Sequence, residues 1–323
     1  MERLKTVHLL YIVCAFLPFS CLPKHDSNES LEKINLLPLY VLSSDKLEGR
    51  KSGSLQMEIA ALYLQGVYSH IGLDTFKKAP NYFQDVFIGD STSLGKNIVG
   101  FIRGTDSYLK DEYIVVSAHY DHLGVCKDEN SISGGDSIYN GARDNAVGVN
   151  ALIEIARHFA IKPPKRSVIF VCFTAEEIGY LGSDYFLSHL PVNYSQIAFD
   201  FNIDNVGYNN TSAITVLGMG KTTVDSILYN KCDELKLRVI ANPNSELNLY
   251  ERSDNVSFMK KGIPSITYCM GFDSIDSNIK KYYHSVHDNL SSLDLNYVRK
   301  YINSSVFVAE RIANVEARPA SFY

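Results

Sequence analysis

Apolar residues recur along the chain in two patterns, one with helical spacing and one of short continuous runs. Residues 54–70 carry Leu55, Ile59 and Leu62 at helical spacing, and Gly72 ends this pattern, which predicts a first helix. Short runs rich in β-branched residues predict strands, and the continuous apolar run at residues 168–173 predicts a strand that is buried on both faces of a sheet. The predicted strands are residues 98–102, 113–118, 168–173, 197–203, 213–217 and 263–270. The further predicted helices are residues 148–160, 183–190, 222–235 and 296–313.

Strands that alternate with helices are typical of an α/β protein. We therefore predict a three-layer α/β/α sandwich around a mostly parallel, mixed central sheet. From residue 31 to residue 323 the chain shows no internal repeat and no stretch rich in Ser and Gly that would separate domains. Residues 31–323 are therefore predicted to form a single domain.

The N-terminal region has the pattern of an export signal. Two basic residues precede an apolar run over residues 7–19, which is short for a membrane-spanning helix. The pattern resembles a bacterial lipoprotein signal, and it predicts residues 1–20 as the signal, lipid on Cys21 and residues 21–30 as a polar tether. Secretion without lipid is the alternative. We expect the protein in the periplasm or on the outer membrane or cell surface of a bacterium, with the lipid anchor as its membrane contact.

Charge and cysteine content narrow the possible functions. The chain has 31 Lys and Arg against 36 Asp and Glu, which gives a net charge of −5, and the two signs are interspersed. We therefore expect no nucleic-acid partner. Four cysteines follow the tether without any CxxC pair, so they predict neither a disulfide framework nor a thiolate zinc site, although a disulfide between two of them stays open. These cysteines are Cys126, Cys172, Cys232 and Cys269.

Histidines and acidic residues follow several of the predicted strands or lie in loops near them. Open α/β sheets bind ligands beyond the carboxyl ends of their strands, so these residues are candidates for one shared site. Imidazole and carboxylate groups without thiolates suit zinc or a neighbouring metal, particularly where water has to be activated. The candidates are His119, Asp121, Asp144, Glu176, Glu177, Asp204, His284, His287 and Asp288.

Two short motifs in this set indicate a division of labour. Asp121 lies two residues after His119, on the same face of an extended segment, so its carboxylate can approach the imidazole ring or the same metal. Glu176 and Glu177 are consecutive, so their side chains diverge and are expected to do different jobs. One carboxylate would bind metal and the other would accept a proton from water, a division that hydrolysis requires. The residues alone leave open which does which.

Together these motifs resemble the M28 family of zinc aminopeptidases, which also contains the glutaminyl cyclases. The likeness covers roughly residues 42–315 and includes an opening segment, LSSDKLEGR. It implies that the predicted sandwich is of the zinc-exopeptidase type and that residues 31–323 are a catalytic metallopeptidase domain. The motifs that carry it are residues 117–122 (SAHYDH), 140–146 (NGARDNA), 175–179 (AEEIG), 202–204 (NID) and 283–288 (YHSVHD).

The resemblance implies a site with two zinc ions that share Asp144 as a bridging ligand. His119 and Asp204 would complete one metal site, and Glu177 and His284 would complete the other. In the family, a ligand histidine is followed by an aspartate four residues later. This spacing selects His284, with Asp288, over His287. His122 and His287 lie outside the ligand set, and each is expected either to support a ligand from behind or to lie on the surface.

The resemblance also implies roles for residues around the metals. Glu176 matches the general base, and Asp121 matches a carboxylate behind the ligands. Asp254 and Asp288 are assigned to the same supporting group. Tyr250 matches a tyrosine that donates to the oxyanion in some members, with a structural role in its loop as the alternative.

The sequence therefore predicts an exported aminopeptidase that acts on peptides with a free N-terminus. The first alternative is a glutaminyl cyclase, which would use a single zinc held by Asp144, Glu177 and His284. Cyclase pockets in this group are typically lined by Trp, and the chain has none. The second alternative is a non-catalytic surface protein that binds peptides.

Overall fold

In the computed structural model, which describes residues 34–88, 92–126 and 135–322, helices and strands alternate along the chain. The helices are α1 (Leu37–Leu42), α2 (Leu55–Ile71), α3 (Val147–Ile161), α4 (Leu181–Ser188), α5 (Asp225–Glu234), α6 (Asn255–Lys260), α7 (Ser277–Tyr282) and α8 (Leu295–Asn314). The strands are β1 (Phe83–Ile88), β2 (Thr92–Ile102), β3 (Tyr113–His119), β4 (Gly124–Val125), β5 (Ile138–Tyr139), β6 (Ser167–Phe173), β7 (Ile197–Ile203), β8 (Ala213–Leu217), β9 (Arg238–Ala241) and β10 (Ser265–Met270).

Eight of these strands form one mixed sheet in the order β1-β2-β6-β3-β7-β10-β8-β9. The four central strands β6, β3, β7 and β10 run parallel to one another, and β2 and β8 flank them in the antiparallel direction. The predicted mixed sheet of an α/β protein is therefore confirmed. Because the central strands are parallel, β3, β6 and β7 all end at the same edge of the sheet.

Helices cover both faces of this sheet. In β3, Ile114 and Val116 pack into a core that includes residues of α2, α3 and α8. Val115, between them, packs into a second core with Phe186 of α4 and Phe258 of α6. The alternation places apolar side chains of β3 on both faces of the sheet.

The predicted export signal, the tether and Cys21 lie outside the described residues, so these predictions and the predicted domain boundaries stay predictions. In the part of the chain that the structure describes, no helix combines the length and apolar character needed to cross a membrane. The four cysteines that follow the tether are all free thiols.

Elements at both edges of the sheet were not predicted from the sequence. β1 and β9 are short edge strands in which exposed and buried residues mix, such as Val86 beside Phe87, which is 45 % exposed. β2 begins six residues before the predicted strand at 98, because polar residues such as Lys96 and Asn97 pair with β1. The helices α1, α6 and α7 have six residues each, too few for a helical period to be visible.

Candidate metal centre

Five side chains from the predicted ligand set converge at the carboxyl-terminal edge of the sheet. His119 is the last residue of β3, and Asp204 directly follows β7. Glu177 lies between β6 and α4, Asp144 lies in the turn before α3, and His284 follows α7. Because the parallel strands end together, residues that are far apart in sequence meet at this edge.

Asp144 lies at the centre of this group. Its Oδ1 atom is 3.1 Å from Nε2 of His119, and its Oδ2 atom is 3.3 Å from Nε2 of His284. Burial alone would raise the pKa of Asp144, but hydrogen bonds from the two histidines lower that pKa well below its ordinary range. The carboxylate is therefore ionised and faces a different imidazole with each oxygen.

The first half of the site is deeply buried. His119 is 1 % exposed, and its Nε2 atom lies 3.1 Å from Oδ1 of Asp204. Its Nδ1 atom lies 3.2 Å from the backbone carbonyl oxygen of Asp121. A carbonyl only accepts hydrogen bonds, so Nδ1 carries a proton. Nε2 faces the two acids, and it is the atom that would bind a metal after giving up its own proton.

The second half of the site includes His122, which the sequence placed outside the ligand set. Glu177 Oε2 is 3.2 Å from Nε2 of His284, while Oε1 of the same carboxylate accepts a hydrogen bond from Nδ1 of His122 at 2.7 Å. These two bonds hold the pKa of Glu177 down at about 2, although burial and the nearby Asp144 raise it. His122 is buried, whereas His287 is exposed.

The position of His122 was hidden by a change in backbone direction. In a continuous strand, side chains two residues apart share a face, which would place His122 opposite His119. β3 ends at His119, and His122 instead forms an isolated bridge with Lys51. The strand period ends three residues before His122 and therefore does not predict where this side chain lies.

Asp121 supports the site through the backbone of the Glu176–Glu177 pair. Its carboxylate accepts hydrogen bonds from the amide groups of Glu176 at 3.2 Å and Glu177 at 3.3 Å, and its Oδ1 atom is 3.7 Å from Nδ1 of His119. The ring of His119 is thus bonded to the carbonyl of Asp121, while the carboxylate of Asp121 fixes the two consecutive glutamates.

Glu176 occupies a different environment from its neighbour. A ligand atom of Glu176 lies within 4.8 Å of His119 and of Glu177. Burial raises the pKa of Glu176 well above its ordinary value, and the charges of Asp204 and Asp254 add to this effect, against an opposing contribution from His119. Two adjacent glutamates therefore have pKa values that move in opposite directions.

Asp288 holds the turn that carries the bridging acid. Its carboxylate accepts hydrogen bonds from the amide groups of Arg143, at 2.9 and 3.1 Å, and Asp144, at 3.1 Å. The Arg143 guanidinium lies over the rings of Tyr208 and Tyr282, 4.5 and 3.8 Å from their centres. This contact ties the Asp144 turn to the end of α7, two residues before His284.

Tyr250 and Asp254 are the two remaining residues of the predicted site. The Tyr250 hydroxyl donates to the backbone carbonyl of Ser265 at 3.0 Å, and the tyrosine is buried. Its role at an oxyanion stays a prediction that requires this bond to be released. Asp254 is fully buried, and burial raises its pKa to about 8.

An apolar cavity of about 100 Å³ adjoins Asp204. Arg252, Ser253 and Tyr283 supply polar groups to its wall, and the Tyr283 ring stacks on His284 with centres 3.9 Å apart. The apolar lining consists of Val206, Leu217, Leu247, Leu249, Cys269, Phe272 and Ile275.

The donor atoms fit zinc in both type and spacing. Zinc takes four ligands at about 2.0–2.2 Å in a tetrahedron, which separates neighbouring ligand atoms by roughly 3.3 Å. The nitrogen to oxygen distances of 3.1–3.3 Å around Asp144 match this separation. Imidazole and carboxylate donors also suit other first-row metals.

Comparison with known proteins gives one family and a consistent fold. The family model of peptidase family M28 matches residues 97–306. Aminopeptidase YwaD of Bacillus subtilis (strain 168) is 26 % identical over 204 residues, which cover 63 % of this chain and 41 % of that protein. The chain thus spans less than half the length of this curated relative.

Two solved structures share the fold. The LapA aminopeptidase of Legionella pneumophila superposes with a TM-score of 0.65 at 19 % identity, covering 93 % of this chain and 78 % of that one. The glutaminyl cyclase of Bacteroides thetaiotaomicron superposes with a TM-score of 0.62 at 18 % identity, covering 85 % and 97 %. Because the family model matches more than half of the sequence, the chain belongs to peptidase family M28.

Proposed function

We propose that the chain is an exported, metal-dependent aminopeptidase that removes N-terminal residues from peptides. The observation that carries this proposal is the arrangement around Asp144. Two imidazoles face its two oxygen atoms, two further carboxylates complete the group, and Glu176 lies beside them with a raised pKa. Ligands and a protonatable acid in one site are what metal-assisted hydrolysis needs.

Two zinc ions are the proposed cofactors. Asp144 would be shared, with His119 and Asp204 holding one ion and Glu177 and His284 holding the other. When bound, zinc polarises a carbonyl group and lowers the pKa of water. Five ligand residues exceed what a single tetrahedral zinc uses, which supports two ions over one.

Glu176 is the proposed general base. Because burial raises its pKa, the carboxylate can take up a proton from the attacking water and later deliver it to the leaving amine. Glu177, whose pKa is lowered to about 2, stays ionised at neutral pH, which suits a ligand. This proposal assigns the two roles that the residues alone left open: Glu176 is the base and Glu177 is the ligand.

The cavity beside Asp204 is proposed to receive the side chain of the N-terminal residue. A volume of about 100 Å³ and walls such as Leu217 and Phe272 suit an apolar side chain of medium size. The carboxylate of Asp204, in the wall of the cavity, would attract the positively charged free amine of the peptide. We therefore expect peptides that begin with Leu or Met to be cleaved fastest.

A glutaminyl cyclase is the second candidate, because a cyclase from Bacteroides thetaiotaomicron shares the fold over 97 % of its length. Such an activity would use Asp144, Glu177 and His284 for a single zinc, with Glu176 as the proton shuttle. The absence of Trp from the chain and the position of His119 opposite Asp204 favour the aminopeptidase.

One experiment separates the candidates. Purified protein is incubated with peptides that begin with Leu, Ala, Glu, Lys or Gln, and the products are identified by mass. An aminopeptidase releases the first residue, whereas a cyclase removes ammonia from the Gln peptide alone. Intact peptides from a zinc-loaded preparation would instead support a binding protein.

A pair of variants tests the roles of the two glutamates. Glu176→Gln should lower turnover by roughly 10²-fold or more, the scale of a lost general base, with zinc still bound. Glu177→Gln should lose the zinc next to His284 as well as activity. If Glu176→Gln empties the site, or turns over at the wild-type rate, the assignment is wrong.

We also propose export with a lipid anchor on Cys21, as the sequence predicts. Cys21→Ser should move the protein from the membrane fraction to the soluble fraction of the producing cells. A wild-type protein that is already fully soluble after export would contradict the anchor, and secretion without lipid would replace it.

A further inference from the structure

Arg50 is a fully buried arginine close to the candidate metal centre. Its side chain is 0 % exposed, and its backbone has a left-handed φ of 48°, which is uncommon for a residue other than glycine. Among the described residues, no carboxylate oxygen lies within 4.0 Å of its nitrogen atoms. A buried charge without an ion pair needs other partners, and Arg50 has four.

These four partners are all backbone carbonyl groups. Nε of Arg50 donates to the carbonyl of Tyr120 at 2.7 Å. Nη1 donates to the carbonyl of Asn140 at 2.6 Å and to that of Leu42, and Nη2 donates to the carbonyl of Gly141 at 3.1 Å. One planar guanidinium thus bonds three separate segments of the chain.

Two of these segments carry metal ligands. Tyr120 directly follows His119, and Gly141 comes three residues before Asp144. His119 and Asp144 are the residues whose atoms approach to 3.1 Å. The side chain of Arg50 therefore links the two loops whose separation determines that distance.

Neighbouring atoms of the same segment add to this link. The amide of His122 donates to the carbonyl of Arg50 at 3.2 Å. The hydroxyl of Ser52 donates to Oδ2 of Asp121 at 2.9 Å, the carboxylate that also fixes the two glutamates. Residues 50–52 thus contact the His119 loop at three points, counting the bond from Arg50 to the Tyr120 carbonyl.

The positive charge of Arg50 also suits a position beside the acidic residues of the site. Burial lowers the pKa of Arg50 to about 10, so the guanidinium is still protonated at neutral pH. The charges of Asp121, Asp288, Asp144 and Glu177 act in the opposite direction and favour the protonated form. A cation here offsets part of the repulsion among acids that are crowded together.

We propose that Arg50, together with Ser52, is a positioning residue of the metal centre, holding the His119 and Asp144 loops at the separation that a shared metal requires. This inference rests on the metal site of the proposed function and not on the peptidase reaction. It explains why the opening segment LSSDKLEGR ends in arginine: a lysine has three donors on one atom and cannot span the same four carbonyls.

The test compares Arg50→Lys with the matched control Arg166→Lys. Arg166 is equally buried, but it donates to Glu112 at 2.8 Å and to carbonyl groups at residues 315 and 316, away from the ligands. Zinc affinity is measured by competition with a chelator, stability by thermal unfolding, and ligand geometry by the visible spectrum of cobalt-substituted protein.

We expect Arg50→Lys to bind zinc 10–100-fold more weakly, the range found when a group that orients ligands is lost, and to change the cobalt spectrum. Arg166→Lys should lower the unfolding temperature and leave zinc affinity and spectrum unchanged. Wild-type zinc affinity and an unchanged cobalt spectrum in Arg50→Lys would overturn the proposal, whatever the stability of that variant.

Ser52→Ala supplies a milder variant in case Arg50→Lys does not fold. It removes the Ser52 hydroxyl that donates to Asp121, so we expect a smaller loss of zinc affinity, of several-fold. An unchanged zinc affinity would then overturn the proposal. A wild-type protein that binds zinc and cleaves no peptide refutes the peptidase and leaves this inference standing. A wild type that binds no zinc overturns both.

Discussion

Asp144 and Asp200 are both buried aspartates of the sheet region, but their partners differ. Asp200 lies in the middle of β7, and its two oxygens accept hydrogen bonds from the hydroxyls of Ser117 at 2.8 Å and Ser265 at 2.6 Å. Asp144 lies beyond the edge of the sheet, and its two oxygens face imidazole nitrogens at 3.1 and 3.3 Å. One acid is satisfied by neutral donors, and the other lies among groups that also bind metals.

The pKa values of the two acids move in opposite directions. Burial raises the pKa of Asp200 to about 7, and the two hydroxyls offset only part of that rise. The pKa of Asp144 falls despite equal burial, because two histidines bond to it. Burial therefore does not distinguish a functional acid from a structural one, whereas the type of partner does. Substitutions of residues at the carboxyl-terminal edge of the sheet, such as Asp144, should therefore alter metal binding and activity. Substitutions in the middle of the sheet, such as at Asp200, should alter stability.

The largest expected effect comes from Asp144→Asn. The substitution removes the charge from the ligand that the two proposed metal sites would share, so both should lose zinc. Metal polarisation contributes several kcal/mol to such reactions, and each 1.36 kcal/mol is about tenfold in rate, so activity should fall by roughly 10³-fold or more. Elemental analysis and peptide hydrolysis measure the two losses, with Asp200→Asn as the control that keeps its metal. Two zinc equivalents in Asp144→Asn would contradict the bridging role.

A smaller and more selective effect is expected when one half of the site is changed. Asp204→Asn should remove the metal next to His119, and Glu177→Gln the metal next to His284, so each variant should keep about one equivalent. The two halves also differ in access, since His119 is 1 % and His284 35 % exposed. A chelator should therefore extract the metal that remains in Asp204→Asn faster than the one that remains in Glu177→Gln. Equal rates would show that the halves are not independent.

His122 and His287 provide a matched pair for the next prediction. Nδ1 of His122 donates to Glu177 at 2.7 Å, so His122→Gln should weaken zinc binding by about 10–100-fold, as expected for a group that orients a ligand. His287 is exposed, and His287→Gln should leave zinc affinity unchanged. Titration with zinc in the presence of a chromogenic chelator measures the zinc affinity of both variants. Equal zinc affinities would show that His122 does not support the site.

The parts of the site that follow central strands were predictable from the sequence. His119 and Asp204 come directly after the predicted strands 113–118 and 197–203, and open α/β sheets bind ligands beyond such strand ends. His284 was different, since α7 has six residues and two histidines lie three residues apart after it. Only the family resemblance selected between them, because no period can be read from so short a helix.

The supporting residues were less predictable, for a physical reason. Arg50 donates to backbone carbonyl groups. Every residue has such a group, so the sequence does not show which residues are the partners of Arg50. For His122 the sequence left open a supporting role or a surface position, because the chain turns after β3 and the alternation of faces ends there. Sequence patterns thus report side chains that share a regular element, and they do not report side chains that bond irregular backbone.

The smallest effect on function, and the largest on stability, is expected from Asp200→Asn. The pKa of Asp200 is about 7 in the folded protein and about 3.9 in an unfolded chain. Between these values the folded state binds the proton that the unfolded state has lost, so stability falls as pH rises from about 4 to about 7. Each pKa unit corresponds to about 1.36 kcal/mol, so the wild type should lose on the order of 4 kcal/mol relative to Asp200→Asn over this window. Urea unfolding of both proteins at pH 4 and pH 8 measures the difference. A constant difference across the range would mean that the Asp200 carboxylate is already ionised in the fold and that the hydroxyls of Ser117 and Ser265 compensate for its burial.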